Sequence, residues 1–192
     1  MQTQMALSPS GVTDTALEIP QCRVTVGELP PASDLARVWL DLEDRADGSF
    51  FTSWTWVGTW LGVLAEFGQL QGMHLVEARR GGTVVGLGIL GRLPGPLPRT
   101  TWNVLAQTGH ADSDSIYVEY NDFLVARDCA EARDALLRAC FGISSGDRVR
   151  AVAGTPSLMA AVAASGIPHH IWRTENCHLV DLTRIAGARP ED

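Results

Sequence analysis

The chain contains no lysine: all 15 of its basic side chains are arginine. That absence removes several chemistries together. A P-loop, a Schiff-base lysine and a Ser-Lys dyad each need a primary amine that this sequence does not carry. A G-x-S-x-G elbow and a Ser-His-Asp order are also missing, so hydrolase chemistry has no support. No apolar run approaches the roughly 18–20 residues that a membrane helix needs. The opening MQTQMALSPSGVTDTALEIP has neither a basic start nor a compact apolar core, and reads as a lead-in rather than a secretory leader. Nucleic acid and anionic membrane surfaces both call for clustered cations, and a net charge of −7 argues against either as a partner.

The four cysteines (Cys22, Cys129, Cys140 and Cys177) form no C-x-x-C. Cys129 and Cys140 would share a helix face about 16 Å apart at ~1.5 Å per residue, beyond the reach of a disulfide. Reduced thiols in a cytoplasmic protein are the resulting expectation. His169, His170, Cys177 and His178 match no tight metal-ligand spacing, so no metal is expected.

What is present suits one ordinary domain. At 192 residues and 45% hydrophobic content the chain can bury a real core. Residues 1–20 read as the lead-in, 21–184 as a single domain and 185–192 as a tail. A short strand is expected around Val24 to Val26. Ser33 then caps a helix through Ala46, with Leu35, Val38, Trp39 and Leu42 inward. Thr52 caps a second helix, with Phe51 stapled onto Trp56 and an inward stripe of Val57, Trp60, Leu61 and Leu64.

Gly81-Gly82 joins strands 74–80 and 83–90 as a two-residue hairpin loop. Val85, Leu87 and Ile89 face one side; Gly86 and Gly88 leave room on the other for something bulky or for a close helix. Residues 92–99, with three prolines, are expected to be irregular. Strands follow at 100–106, 116–125 and 149–153. Asp128 and Glu131 give a capping-box-like start to the helix that ends near Gly142, with Ala132, Ala135, Leu136, Ala139 and Cys140 inward. Thr155, Pro156 and Gly166 bound the last helix, and 169–182 closes as a strand or hairpin. The order predicts a mixed α/β (α+β) sheet with a helical crossover after the long strand.

Four stretches carry a family resemblance: FFTSWTWVGTW, VEARRGGTVVGLGILG, GHADSDSIYVEYNDFLV, and the run from AGTPSLMAAVAASG to CHLVDL. Over about residues 35–182 the chain resembles the first half of CelD-like proteins. These are GNAT-type acyltransferases related to the Fem aminoacyl transferases and built from two GNAT-like halves around a cleft. The resemblance implies a GNAT-like, mixed, mostly antiparallel sheet flanked by helices. It also implies transfer of an acyl group from acyl-CoA, as co-substrate, to a small-molecule amine acceptor. The chain stops shortly after CHLVDL, where a second half would begin, so a second GNAT-like half or a homodimer is the implied partner.

Acyl-CoA-binding GNAT domains place [QR]xxGx[GA] at the start of the helix after the long strand, so that bare amides face the pyrophosphate. Here the stretch is VARDCAEA, with no glycine. Asp128 and Glu131 at the helix's positive end would repel a pyrophosphate, and Arg127 offsets them only in part. This chain alone is therefore expected to bind no cofactor by that route. A catalytically silent module that docks a partner protein or polar ligand is the alternative function.

Glu119 and Asp122 are the candidate bases, since a carboxylate can take the amine's proton. On an alternating strand Glu119 and Asn121 would share one face, Tyr120 and Asp122 the other. The competing role for this group is lining an edge or tying down a loop. Tyr120 and Asn121 are candidate substrate contacts, with Trp54 and Trp56 as cleft aromatics that could equally be core. His110 is a candidate rim residue on a loop where Asp112 and Asp114 otherwise form a turn.

Overall fold

The computed structural model describes residues 22–95, 100–115, 118–141 and 148–174. Among these residues six strands form one sheet: β1 (Arg23–Glu28), β2 (His74–Arg80), β3 (Thr83–Pro94), β4 (Thr101–Leu105), β5 (Leu124–Val125) and β6 (Arg148–Arg150). Four helices flank it: α1 (Ala32–Glu43), α2 (Trp54–Glu66), α3 (Glu131–Phe141) and α4 (Pro156–Ala164). The sheet order is β1-β2-β3-β4-β6, with β5 also on β3. Among the described strands only the β4–β6 pairing is parallel, so the sheet is mixed and mostly antiparallel.

The β2–β3 hairpin forms as its sequence dictates. Gly81 and Gly82 take φ of 57° and 86°, the left-handed pair that a type I′ loop needs. Gly86 and Gly88 serve close packing. A Cβ on Gly86 would stand 2.7 Å from Leu136 of α3, and one on Gly88 would stand 2.5 Å from Phe123. The alternate residues Val85, Leu87 and Ile89 are buried on the opposite side, in one core with Leu35, Trp39 and Leu42 of α1 and Val57, Leu61 and Leu64 of α2. Helices thus cover both faces.

Several boundaries differ from the sequence expectation, each for a local reason. Pro31, not Ser33, starts α1: its carbonyl accepts the Asp34 and Leu35 amides, and no side chain caps the turn. Ser53, not Thr52, caps α2, accepting the Trp56 amide, because residues 50–52 are already wound into a 3-10 turn. The Phe51–Trp56 contact survives the shift, with ring centroids 4.9 Å apart. β3 runs on to Pro94, whose missing N–H is harmless at a strand end. β6 is Arg148–Arg150 rather than 149–153. Thr155, Pro156 and Gly166 bound α4 as expected, with Gly166 at φ 70°. Residues 167–174 hold no regular structure, and the rest of the expected closing strand lies outside the described residues.

The largest departure is the expected long strand at 116–125. Among its described residues only Leu124 and Val125 are strand, and Asn121 forms one isolated bridge. Tyr120 turns into the left-handed region at φ 51°, which ends any alternation of faces. The expectation that Glu119 pairs with Asn121 on one face, and Tyr120 with Asp122 on the other, is therefore corrected. No described helix is long and apolar enough to cross a membrane.

Candidate functional site

The edge of β3 is shared between two strands. Leu90 to Pro94 pair with β4, whereas Gly86 and Leu87 pair with β5. Both partners run antiparallel to β3, so β4 and β5 lie end to end along it. The chain leaves this line after Leu105 and regains it at Leu124. Where it leaves, the Ala106 amide still donates to Ile89 O at 2.8 Å.

Three non-glycine residues border this break in left-handed conformation, each with φ 51°: Ala106, Tyr120 and Ala153. Such backbone costs about 1–3 kcal/mol per residue and persists only where surrounding structure enforces it. The enforcing residue is Asn121, 1% exposed. Its amide donates to Ala153 O (2.9 Å), its carbonyl accepts from Thr155 N (3.1 Å), and its Nδ2 donates to Leu105 O (2.9 Å). Its Oδ1 has no partner among the described residues. Turning the amide over would set two oxygens against each other at Leu105, so the unpaired atom is the oxygen.

Beside the break lies a small cavity of about 20 Å³, room for one water, lined among others by Trp39, Trp56, Trp60, Gly88, Ala106 and Asp122. Asp122 is tightly held. Its Oδ1 accepts from Arg133 Nε (2.9 Å) and Phe123 N (2.8 Å), and its Oδ2 from Thr155 Oγ1 (2.5 Å). Thr155 in turn accepts the Leu158 amide as the cap of α4. One carboxylate thus joins the loop, α3 and the start of α4. Only 8% of its side chain is exposed.

Glu119 differs. It is exposed and makes no hydrogen bond or ion pair with any described residue. Tyr120, 39% exposed, adjoins it, and its carbonyl accepts from Ser49 Oγ at 3.3 Å. Trp56 lines the cavity and packs edge-on against Phe51. Trp54 packs against Trp39 at 6.3 Å and over Gly58, where a Cβ would fall 2.7 Å from its ring. Its amide donates to Glu43 Oε2 at 2.7 Å, which places an acid at the positive end of α2. His110 does not line the cavity. Its carbonyl accepts the Ser113 and Asp114 amides, and Asp114 holds the turn by accepting from Thr108 and Gly109. The break thus brings together Trp56 and Asp122 around the cavity, with Asn121 beside them, and leaves His110 apart.

The start of α3 carries its own charge pattern. Arg80, at the end of β2, reaches Asp128 Oδ2 (2.7 Å) and Glu131 Oε1 (3.3 Å). The Glu131 carboxyl is held below its usual range, first by a backbone amide hydrogen bond and then by the Cys129 thiol and Arg80. Cys129 is pushed up to about 12, by burial first and then by Glu131 and Cys22. Arg127, expected to offset these acids, is drawn away to Asp47 (2.6 Å) and Asp44 O. Arg80 does the offsetting instead. Sequence reasoning missed it because the hairpin alone brings residue 80 to residue 128.

No protein-family model matches the chain, and no curated protein matches it in sequence. Several solved structures are similar to it at low identity. A ribosomal-protein-alanine N-acetyltransferase from Brucella melitensis biovar Abortus 2308 is 15% identical, with a TM-score of 0.43 over 83% of this chain and 100% of that one. A probable acetyltransferase is 12% identical, with a TM-score of 0.47 over 83% and 99%. A protein from Clostridium acetobutylicum described as a predicted acetyltransferase, solved with acetyl-CoA, is 8% identical, with a TM-score of 0.35 over 85% and 98%.

Proposed function

We propose that this chain is a GNAT-type N-acyltransferase domain of the CelD-like kind, supplying the amine-acceptor side of an acyl-CoA-dependent transfer. The observation that carries the reading is the interrupted strand line. A sheet broken between β4 and β5, bordered by three left-handed residues and an Asn121 Oδ1 that no described residue engages, sets irregular backbone beside a polar acceptor. An amine N–H is the complementary donor. Glu119, exposed and unengaged by described residues, is the side chain we assign to take the amine's proton. Asp122 holds the break in shape through Arg133 and Thr155. Trp56 then gives the acceptor an apolar wall, with Tyr120 exposed beside Glu119; Trp54, packed on Trp39 and Gly58, stands behind that wall, and His110 lies apart from it.

The start of α3 does not fit a pyrophosphate. Asp128 and Glu131 stand at its positive end, and Arg80 is already engaged by both. In this reading a second GNAT-like half, or a second copy of the chain, supplies the acyl-CoA side. Isothermal titration with acetyl-CoA tests this: the expected result is no binding to the chain alone, and micromolar binding by a monomer overturns it. Replacing Glu119 with Gln is expected to lower turnover in the completed enzyme at least about tenfold, without loss of stability. Unchanged turnover removes Glu119 from the mechanism.

A second reading, a catalytically silent module that docks a partner protein or polar ligand, is favoured by one observation. The cavity holds little more than a water, and its carboxylate is fully bonded.

A further inference from the structure

Away from the break, the start of β1 and the start of α3 bring together a second set of reactive groups. Cys22 immediately precedes β1, and Cys129 lies two residues before Glu131, the first residue of α3. They are 107 positions apart in sequence, yet their sulfurs are 3.7 Å apart. The ligand atoms of Cys22, Cys129 and Glu131 all fall within 4.8 Å of one another. Cys129 is fully buried, Cys22 is half-buried, and the Glu131 side chain is 52% exposed. The cluster therefore has a closed thiol side and an open carboxylate side.

At this spacing one thiol hydrogen-bonds the other, and the same spacing fits a shared ion. A tetrahedral centre with zinc–sulfur bonds of about 2.3 Å holds two thiolates about 3.8 Å apart. A covalent disulfide would need them at about 2.05 Å. Two sulfurs and one carboxylate oxygen form a donor set suited to zinc rather than to magnesium or calcium. Once both thiols lose their protons, three ligands would carry three negative charges against the ion's two positive ones. Arg80, on Glu131 Oε1 at 3.3 Å, offsets the remainder and orients the carboxylate as an outer-shell partner does.

We propose that Cys22, Cys129 and Glu131 form a site for a thiophilic divalent cation, zinc by preference, with solvent at the fourth position. The ion clasps the residue ahead of β1, the edge strand of the sheet, to the first turn of α3. The site is independent of the acyltransferase reading and stands whether or not that reading holds.

The test uses the full chain, reduced and stripped of metal, titrated with Co²⁺ as a spectroscopic probe. The expected result is an intense thiolate-to-cobalt charge-transfer band with tetrahedral d–d bands, saturating at one ion per chain and displaced by Zn²⁺. Cys22→Ser and Glu131→Gln should each weaken binding at least about tenfold. Cys129→Ser should do the same where it folds; the other two variants replace less buried groups and keep the test decisive. Absence of the charge-transfer band, or undiminished binding by Cys22→Ser, overturns the proposal. So does a reduced chain that binds no cobalt and loses two hydrogens in air to a Cys22–Cys129 disulfide, which makes the pair a redox couple instead.

Discussion

The Asp122 carboxylate and the Arg133 guanidinium meet at 2.9 Å with only 8% and 17% of their side chains exposed. This ion pair connects the returning end of the 106–123 segment to α3. Because Thr155 donates to the other oxygen while capping α4, one acid fixes two helices and a loop. A carboxylate so engaged is better suited to shaping a site than to moving protons in it.

Asp122→Ala should lower unfolding free energy by about 3 kcal/mol, since it strands a largely buried guanidinium. Thr155→Ala should lose about 1 kcal/mol for the cap alone and more for its bond to Asp122. Urea denaturation of both single variants and the double variant checks this. Additive losses would show that the two side chains act separately.

Glycine substitutions should divide by position. Gly88→Ala forces a methyl to within 2.5 Å of the Phe123 ring and 3.1 Å of Val76, and should destabilise by about 1–3 kcal/mol. Gly62→Ala, on the open surface of α2 with no atom within 4 Å, should stabilise by about 0.5–1 kcal/mol. Thermal unfolding of the two variants reads both signs directly.

Cys140 offers a test by pH. Burial pushes its thiol from 9.0 to about 12 in the folded chain. Folding therefore favours the protonated thiol. The resulting stability is fully present below pH 9.0 and falls as pH rises from there toward about 12. At neutral pH, alkylation of Cys140 should occur only as fast as the chain unfolds. Mass spectrometry that shows rapid labelling of native protein would contradict this burial.

The sequence was most legible where short-range chemistry decides. Gly81-Gly82, the Thr155-Pro156 start of α4 and the inward stripe of α2 appear as expected because each depends on neighbours within a few residues. The described part of the expected 116–125 strand, residues 118–125, differs because its apolar residues suit a strand while its conformation is set by distant partners. The bonds from Asn121 to Leu105 and Ala153 dictate the turn at Tyr120, and no local pattern announces them. The same holds for the charge at α3. Arg127 is adjacent in sequence, but Asp47 claims it, and Arg80 arrives from a hairpin about 50 residues away. The cysteines show the rule most plainly: counting spacings ruled out Cys129 with Cys140 and said nothing about Cys22.

β4 and β5 abut the same strand in the same direction, which makes residues 106–123 an excursion between two segments of one interrupted line. The early part of that excursion can change in length or composition without altering the order of strands, whereas its returning end, with Asn121 and Asp122, seats α3 and α4. Scaffold and variable loop are consequently separable only ahead of Asn121: a segment transplanted between Leu105 and Asn121 would inherit a ready-made frame.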